Sequence, residues 1–271
     1  MSDSEVLLAF AFRPRAFVGV TGPDAEDYLQ RMVSNDVAAL QAGESCEALL
    51  LTAKARVIAP LVVLRRGSDD FLLLTEPDLG EVVLGELRRF RFAAKAAIEA
   101  ERHVSHLVLG AAAPDGVLAA ANADYGVAGA ELIDGEPPGG IRELSEVELE
   151  ELRIRAGTPR FGLEIDERVL PAEAGLDERA VSFTKGCYPG QEPIARLRYR
   201  GHANRTLRRL LIDAQDLPGR DAPIVHEGKD VGRLTSAVRT AEGVLGLGYV
   251  RVEVPADAEL VVGPAAATQL H

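Results

Sequence analysis

Strand-like and helical patterns alternate over the first part of the chain. Residues 17–20 form a β-branched and aromatic run that predicts a strand, and residues 25–33 repeat apolar side chains at helical spacing. Asp24 precedes this helix and can cap its first turn. Residues 48–66 consist of two apolar runs around a basic connector, which predicts a β-hairpin.

The mixed pattern continues up to residue 110. Residues 71–74 predict another strand, Pro77 opens a helix, and residues 96–100 and 105–109 are extended. Strands, helices and hairpins in this mixture favour an α+β architecture with a largely antiparallel sheet over a doubly wound one.

Two changes of pattern predict domain boundaries. Residues 111–140 are rich in Ala, Gly and Pro, and beyond residue 203 short strands alternate with turn residues, as in a small β-barrel. Between these regions, Ser145 and Glu148 have capping-box spacing at the start of a helix. We predict an N-terminal α+β subdomain over residues 1–110, a middle α+β subdomain over residues 111–203 and a C-terminal β-barrel over residues 204–271.

The composition excludes several classes of protein. The chain has 271 residues, of which 47% are hydrophobic and 27% charged, as in globular proteins. It has no apolar stretch near the roughly 18 residues of a membrane span, and its start lacks the basic region of a secretory signal. We therefore expect a cytoplasmic protein without a membrane partner.

The charge is unevenly distributed. The net charge is −12, yet residues 185–209 hold seven bases and one acid, so this segment carries +6. An acidic chain does not bind nucleic acid with its whole surface, although a local basic surface is compatible with this charge. Arg196, Arg198 and Arg200 alternate, and on a strand they would share one face suited to carboxylates or phosphates. A solvated strand paired with acidic segments is the alternative.

Two cysteines, Cys46 and Cys187, are far apart in sequence, so they form no CxxC pair and furnish no zinc site alone. Cys187 lies between glycines in a predicted tight loop, with Lys185 and Arg196 nearby. Such cations lower the pKa of a thiol and raise the fraction of reactive thiolate. A buried structural cysteine is the alternative.

Three acids, Glu164, Asp166 and Glu173, lie in chain punctuated by Gly and Pro. Carboxylates are natural partners for the amino and ring N–H groups of a pterin or purine. Ordinary exposed loop acids are the alternative reading.

The stretch KGCYPGQEPIAR, residues 185–196, resembles the signature of the YgfZ branch of the YgfZ/GcvT family, which comprises folate-binding proteins implicated in iron–sulfur cluster assembly or repair. The flanks fit in order: FVGVTGPDAEDYLQRMVSNDV, LLTAKARVIAPLVVL, IRAGTPRFGLEI with LPAEAGL, and DVGRLTSAV to LGLGYVR. The resemblance covers nearly the full chain. It implies an aminomethyltransferase-like fold of three subdomains in a ring, with a tetrahydrofolate-type ligand in the central channel.

The resemblance also implies roles for individual residues. Cys187 would be a reactive or transiently metal-handling thiolate, with Lys185 and Arg196 holding its charge. Because a cluster needs about four thiolates, any cluster contact would be shared with an iron–sulfur client or assembly protein, and no permanently bound metal is expected. The residues expected at the folate are Glu164 and Glu173 at the pterin, Arg198 and Arg200 at the glutamyl tail, and Tyr188, Gln191, Glu192 and Arg196.

The sister branch, the aminomethyltransferase of the glycine cleavage system, resembles the chain in fold and order of motifs. It uses an aspartate of the hairpin beside the folate, where this chain has Ala59 and Pro60. Losing such a positioned group costs about 10²–10⁴ in rate, so we expect no glycine-cleavage chemistry. If the protein is an enzyme, the resemblance implies a folate-dependent one-carbon transferase of this type.

Two further departures concern the ligand channel and the signature. Better-known members line the channel with tryptophans, whereas this chain has none and places Arg15 and Leu149 near the matching positions. Aromatic lining would have to come from Tyr28, Phe161 or Tyr188. Pro193 also follows the signature where aliphatic residues are usual.

Two alternative functions are open from the sequence. The first is a one-carbon transferase acting on a substrate other than the glycine-cleavage carrier. The second is a non-catalytic module that binds tRNA or an acidic protein through residues 185–209, with a steep salt dependence.

Overall fold

The computed structural model describes residues 7–270. The helices in this range are α1 Ala25–Met32, α2 Gly80–Arg89, α3 Glu146–Ala156 and α4 Gln191–Arg200. The strands are β1 Ala9–Phe12, β2 Ala16–Thr21, β3 Ser45–Leu51, β4 Val57–Gly67, β5 Asp70–Thr75, β6 Ala97–Glu101, β7 Ser105–Leu109, β8 Ala119–Asn122, β9 Gly129–Ile133, β10 Arg142–Glu143, β11 Arg205–Ile212, β12 Pro223–His226, β13 Lys229–Thr240, β14 Gly243–Arg251, β15 Leu260–Val262 and β16 Ala265–Leu270. In residues 7–270, every helix is too short or too polar to span a lipid bilayer.

The described residues form two compact units. The first unit comprises residues 7–123, Val127–Leu144 and Glu178–Pro193, and the second comprises Asp124–Gly126, Ser145–Asp177 and residues 194–270. The first holds two five-stranded sheets and the second a closed barrel. The predicted α+β class and C-terminal barrel are confirmed, whereas the three subdomain boundaries and the ring stay predictions.

The two sheets of the first unit share a core. One sheet has the order β3-β4-β5-β2-β6 and is antiparallel throughout, with β3 and β4 forming the predicted hairpin. The other has the order β10-β1-β7-β9-β8. Leu72 and Leu74 of β5 are fully buried and pack in one cluster with Phe17 of β2 and Ile133 of β9. Strand β5 is apolar without alternation because both of its faces are covered.

The barrel of the second unit closes in the order β11-β14-β13-β12-β15-β16. A register shift between Leu234 and Ser236 of β13 marks a bulge, the usual means of bending a barrel strand. Helix α3 packs Ile154 against barrel residues, and its predicted capping box at Ser145 and Glu148 is confirmed. The sequence of strand β16, AAATQL, does not predict a strand because it lacks large β-forming residues, although its burial alternates.

Two local predictions are wrong. Asp24 makes no cap hydrogen bond to α1, because its carboxylate accepts from the backbone N–H of Lys95 at 2.7 Å instead. The segment with Arg196, Arg198 and Arg200 is helix α4, not a strand. Pro193 fits in the first turn of α4, where the N–H that proline lacks has no helical partner.

Candidate functional site

The signature segment presents its cysteine between buried neighbours. Residues 185–190 form the predicted loop, whereas Gln191 and Glu192 already lie in α4. Cys187 is exposed, while Lys185 and Tyr188 are only 9% and 7% exposed. The loop therefore directs the thiol outward from a fixed base.

Lys185 anchors this loop to the turn that follows α1. Its Nζ donates to the backbone carbonyls of Val33 and Asn35, each at 2.7 Å, and lies 5.3 Å from the centre of the Tyr188 ring. Burial lowers the pKa of Lys185 to about 8, although the Asp36 carboxylate opposes this effect. These contacts make Lys185 a clamp between segments 150 residues apart.

The turn that receives Lys185 is itself built from buried polar groups. Ser34 is fully buried; its Oγ donates to the carbonyl of Ala180 at 2.6 Å and accepts from the N–H of Leu49 at 2.7 Å. Its carbonyl accepts from the N–H of Ser182 at 3.0 Å. Nothing local in the sequence of this turn signals partners so distant in the chain.

Gly190 lets the end of the loop approach the β3–β4 hairpin. Its φ is +84°, and a Cβ on it would stand 2.7 Å from the carbonyl oxygen of Thr52 and 3.1 Å from the Cα of Ala55. Both the left-handed backbone and the close approach require glycine. The loop is thus fixed at two ends, by Lys185 and by Gly190.

The two cysteines have different environments. Cys46 is half-buried on β3, and burial raises the pKa of its thiol to about 12, so it remains protonated at neutral pH. Charge from Lys185 opposes this effect without overcoming it. Cys187 is the cysteine that solvent and a partner can reach.

The two predicted pterin acids both have partners in the second unit. Glu164 is fully buried and accepts from Arg153 Nη1 at 3.0 Å, Ser236 Oγ at 2.6 Å and the N–H of Arg160 at 3.0 Å. This network fixes the chain after α3 against the barrel.

Glu173 is 9% exposed and pairs with Arg205 Nε at 3.0 Å. It also accepts from the N–H of Leu170 at 2.9 Å. The role of both acids at a ligand stays a prediction.

The arginines of α4 do not share one face. At 100° per residue, Arg196 and Arg200 lie about 40° apart, whereas Arg198 points about 160° away from either. All three are exposed, and Arg198 lies 4.0 Å from Asp177. An oxyanion contacted by two guanidinium groups would therefore meet Arg196 and Arg200, not Arg198 and Arg200.

The two hairpin positions compared with the sister branch, Ala59 and Pro60, hold no ionisable side chain. Ala59 is fully buried, and the carbonyl of Pro60 accepts from Thr75 Oγ1 at 2.8 Å. Pro60 is tolerated because the β4–β5 pairing begins at Val62, so no partner on that side needs its missing N–H.

Arg15, near one position where the resemblance implies a channel tryptophan, is held by a buried ion pair. Its Nε and Nη2 donate to the two carboxylate oxygens of Glu131 at 2.9 and 3.0 Å. Ser105 Oγ donates to the same carboxylate at 2.6 Å. Burial favours the neutral acid, but the charge and hydrogen bonds of Arg15, together with the charge of Arg13 and the hydrogen bond from Ser105, hold the pKa of Glu131 below its usual range.

Two of the three aromatic residues considered for a ligand channel are buried. Tyr28 is 3% exposed and donates its hydroxyl to the carbonyl of Leu87, and Tyr188 is 7% exposed. Phe161 keeps partial exposure. Over residues 7–270, no three His, Cys, Asp or Glu side chains converge as a metal-binding group.

Comparisons with known proteins give two curated relatives of nearly full length. The chain is 28% identical to the tRNA-modifying protein YgfZ of Edwardsiella ictaluri, over 93% of this chain and 87% of that protein. It is 26% identical to the protein of the same name from Klebsiella pneumoniae, over 85% and 80%. No family model matches the chain.

Among solved structures, the glycine cleavage system aminomethyltransferase T from Bartonella henselae has the same fold. The TM-score is 0.83 at 19% identity, over 98% of this chain and 85% of that chain. This likeness supports the fold and, at such low identity, carries no activity with it.

Proposed function

We propose, from the premise that this chain is a YgfZ/GcvT-like protein, that it binds a reduced folate and supports iron–sulfur cluster assembly or repair in other proteins. The observation that carries the proposal is the exposed thiol of Cys187 on a loop fixed at both ends. A thiol held in this way meets a partner without first ordering the loop.

Cys187 is the group that contacts the metal cargo or client. Its thiolate is the form that binds iron. The chain has two cysteines, and Cys46 is held as a thiol by burial, so a cluster that wants about four thiolates takes its other ligands from a partner. Contact with the cluster is therefore shared and transient.

Lys185 acts on Cys187 by position. Its ammonium is occupied by the carbonyls of Val33 and Asn35, so its contribution is to hold the loop in place. Replacing Lys185 by Met keeps the apolar stem and removes the donors. Lys185→Met should raise amide hydrogen exchange in residues 182–190 without lowering the content of secondary structure.

The folate is a tetrahydrofolate or a derivative. Exposed cations of α4 suit its glutamyl carboxylates, and the geometry favours Arg196 with Arg200. The order of the family-like motifs along this chain supports the ligand class, while Glu164 and Glu173 would need to give up internal partners to meet a pterin.

A complementation assay tests the thiol. In a bacterial strain lacking its own YgfZ, the wild-type chain and Cys46→Ser should restore the activity of iron–sulfur enzymes, whereas Cys187→Ser should not. Full restoration by Cys187→Ser, at equal protein level, would remove the proposed role of this residue.

RNA is a second candidate partner. The curated relatives are named as tRNA-modifying proteins, and residues 185–209 carry a charge of +6. Binding through this segment predicts an affinity for tRNA that falls steeply with salt and weakens in the Arg198→Gln, Arg200→Gln double variant. An affinity that is flat with salt would exclude it.

A further inference from the structure

A surface at the end of α2 combines exposed aromatic rings with exposed cations. Residues 88–95, RRFRFAAK, hold three arginines, one lysine and no acid, a local charge of +4. Phe92 is 86% exposed and Phe90 is 40% exposed. None of these residues takes part in the site described above, and we call residues 88–95 the α2 surface.

The two rings are arranged so that one face stays open. The centres of Phe90 and Phe92 lie 6.5 Å apart with an interplanar angle of 70°, an edge-to-face contact. The guanidinium of Arg89 lies 5.1 Å from the centre of the Phe90 ring. Phe90 is thus covered partly by its neighbours, whereas most of Phe92 is left to solvent.

The backbone holds Phe92 in this exposed position. Its φ is +41°, in the left-handed region, within a turn closed by the N–H of Ala94 and the carbonyl of Arg91 at 2.9 Å. A bulky side chain is rare at such a φ, and glycine would adopt it without strain. Local folding therefore gives no reason for a phenylalanine at this position.

The arginines around the rings differ in their contacts with the rest of the protein. Arg88 donates its Nε to the carbonyl of Ile98 at 3.0 Å, which occupies part of its guanidinium in the fold. Arg89 is exposed and reaches the partly exposed Glu86 only at 3.5 Å.

Two further groups border the rings. Arg91 contacts the carbonyl of Ala96 at 3.5 Å and is exposed. The carboxylate of Asp24 faces this region and accepts from the backbone N–H of Lys95. The local charge stays positive with Glu86 and Asp24 counted, since these two acids face four bases.

We propose that the α2 surface binds single-stranded RNA, with a base stacked on Phe92 and phosphates contacted by Arg89, Arg91 and Lys95. Aromatic faces beside a positive surface are what single-stranded nucleic acid requires, because each base offers a π-face and each linkage a negative charge. This inference goes beyond the proposed function, since the α2 surface involves neither Cys187 nor residues 185–209, the segment considered above for tRNA.

An anionic membrane surface fits the same groups less well. A helix that lies on a membrane needs a continuous apolar face. Helix α2 instead exposes Glu81 near its start. Among the described residues of α2, Val82 is the one large apolar side chain that is more than 40% exposed, and the two rings lie beyond the end of the helix. The rings alternate with guanidinium groups, which matches bases alternating with phosphates.

Fluorescence anisotropy with a labelled uridine dodecamer tests the surface on the full chain. Phe92→Gly removes the ring and suits the left-handed φ, so folding is retained. It should weaken binding by about fivefold or more, whereas Phe92→Trp should bind at least as well as wild type. Phe12→Ala, at another exposed aromatic residue, is the matched control and should bind like wild type.

The salt dependence gives a second readout. Between about 50 mM and about 200 mM salt, Arg91→Gln should reduce the slope of log affinity against log salt by about 0.7, the value for one phosphate contact on a single strand. Equal affinity of Phe92→Gly and Phe12→Ala would overturn the proposal. The proposal would also be overturned if the wild-type chain bound no RNA at low salt, or if RNA binding required Arg198 and Arg200 and not Phe92. It would likewise be overturned if the wild-type chain bound phosphatidylglycerol vesicles but no RNA, and Phe92→Gly abolished the binding to vesicles.

Discussion

Arg15→Met should leave a carboxylate buried without its counterion. Glu131 is fully buried on β9, and Arg15 donates two hydrogen bonds to it at 2.9 and 3.0 Å. Removing one partner of such a pair costs about 3–5 kcal/mol of unfolding free energy. At about 2–4 °C per kcal/mol for a chain of this size, the Tm of the first unit should fall by about 6–20 °C.

The loss of stability in Arg15→Met should depend on pH in a defined direction. In wild type the folded-state pKa of Glu131 is below the ordinary value of 4.5, so the pair stabilises above that pH and this stability is lost on acidification. Without Arg15, burial dominates and raises the folded-state pKa. The unfolding free energy of the variant then falls as the pH rises above 4.5. Its loss of stability relative to wild type should therefore be largest near neutral pH and smaller in acid.

Thermal and urea unfolding of four proteins test this reasoning. The double variant Arg15→Met, Glu131→Leu should recover most of the loss, because a buried ion pair can often be replaced by apolar groups of similar volume. Arg31→Met is the matched control: its pair with Asp27 is exposed, and its loss should cost less than about 1 kcal/mol. An Arg15→Met variant as stable as Arg31→Met, or a double variant as unstable as Arg15→Met, would refute the argument.

Two further predictions concern a loop and a histidine. Gly190→Ala should destabilise the loop and raise its rate of proteolysis, because the added Cβ meets the carbonyl of Thr52. Gly186→Ala is the control and should not raise it, because a Cβ there meets no atom within 4 Å. Equal rates of proteolysis in the two variants would contradict the prediction. Burial lowers the pKa of His103, but hydrogen bonds to two carboxylates outweigh it and raise the pKa above 6.5. The stability advantage of wild type over His103→Gln should therefore be largest below pH 6.5 and should be lost as the pH rises through the folded-state pKa of His103. A stability difference that does not change with pH would contradict this prediction.

Regular elements were predictable where pattern and turn chemistry agree. The β3–β4 hairpin, β5 and the barrel strands β11 to β15 have apolar runs bounded by turn residues, and the capping box of α3 is a local signal. Helix α4 was missed because the arginine alternation suggested period 2. The helical signal was the spacing of Ile194 and Leu197 after Pro193 in a first turn.

Contacts between distant segments could not be predicted. Lys185 is fixed by carbonyls about 150 residues earlier, and Glu164 by Ser236 on a barrel strand. A lysine beside a cysteine suggests activation of the thiol in sequence, but the fold directs its ammonium to a turn. Such buried polar partnerships depend on tertiary packing, which leaves no periodic trace in the sequence.

Calorimetric titration with tetrahydrofolate, free and polyglutamylated, tests the central claim most directly. Binding should be saturable and tighter for the polyglutamylated form, and the Arg196→Gln, Arg200→Gln double variant should reduce that preference. Absence of heat and of any thermal shift at millimolar ligand would contradict the proposal that this chain binds folate.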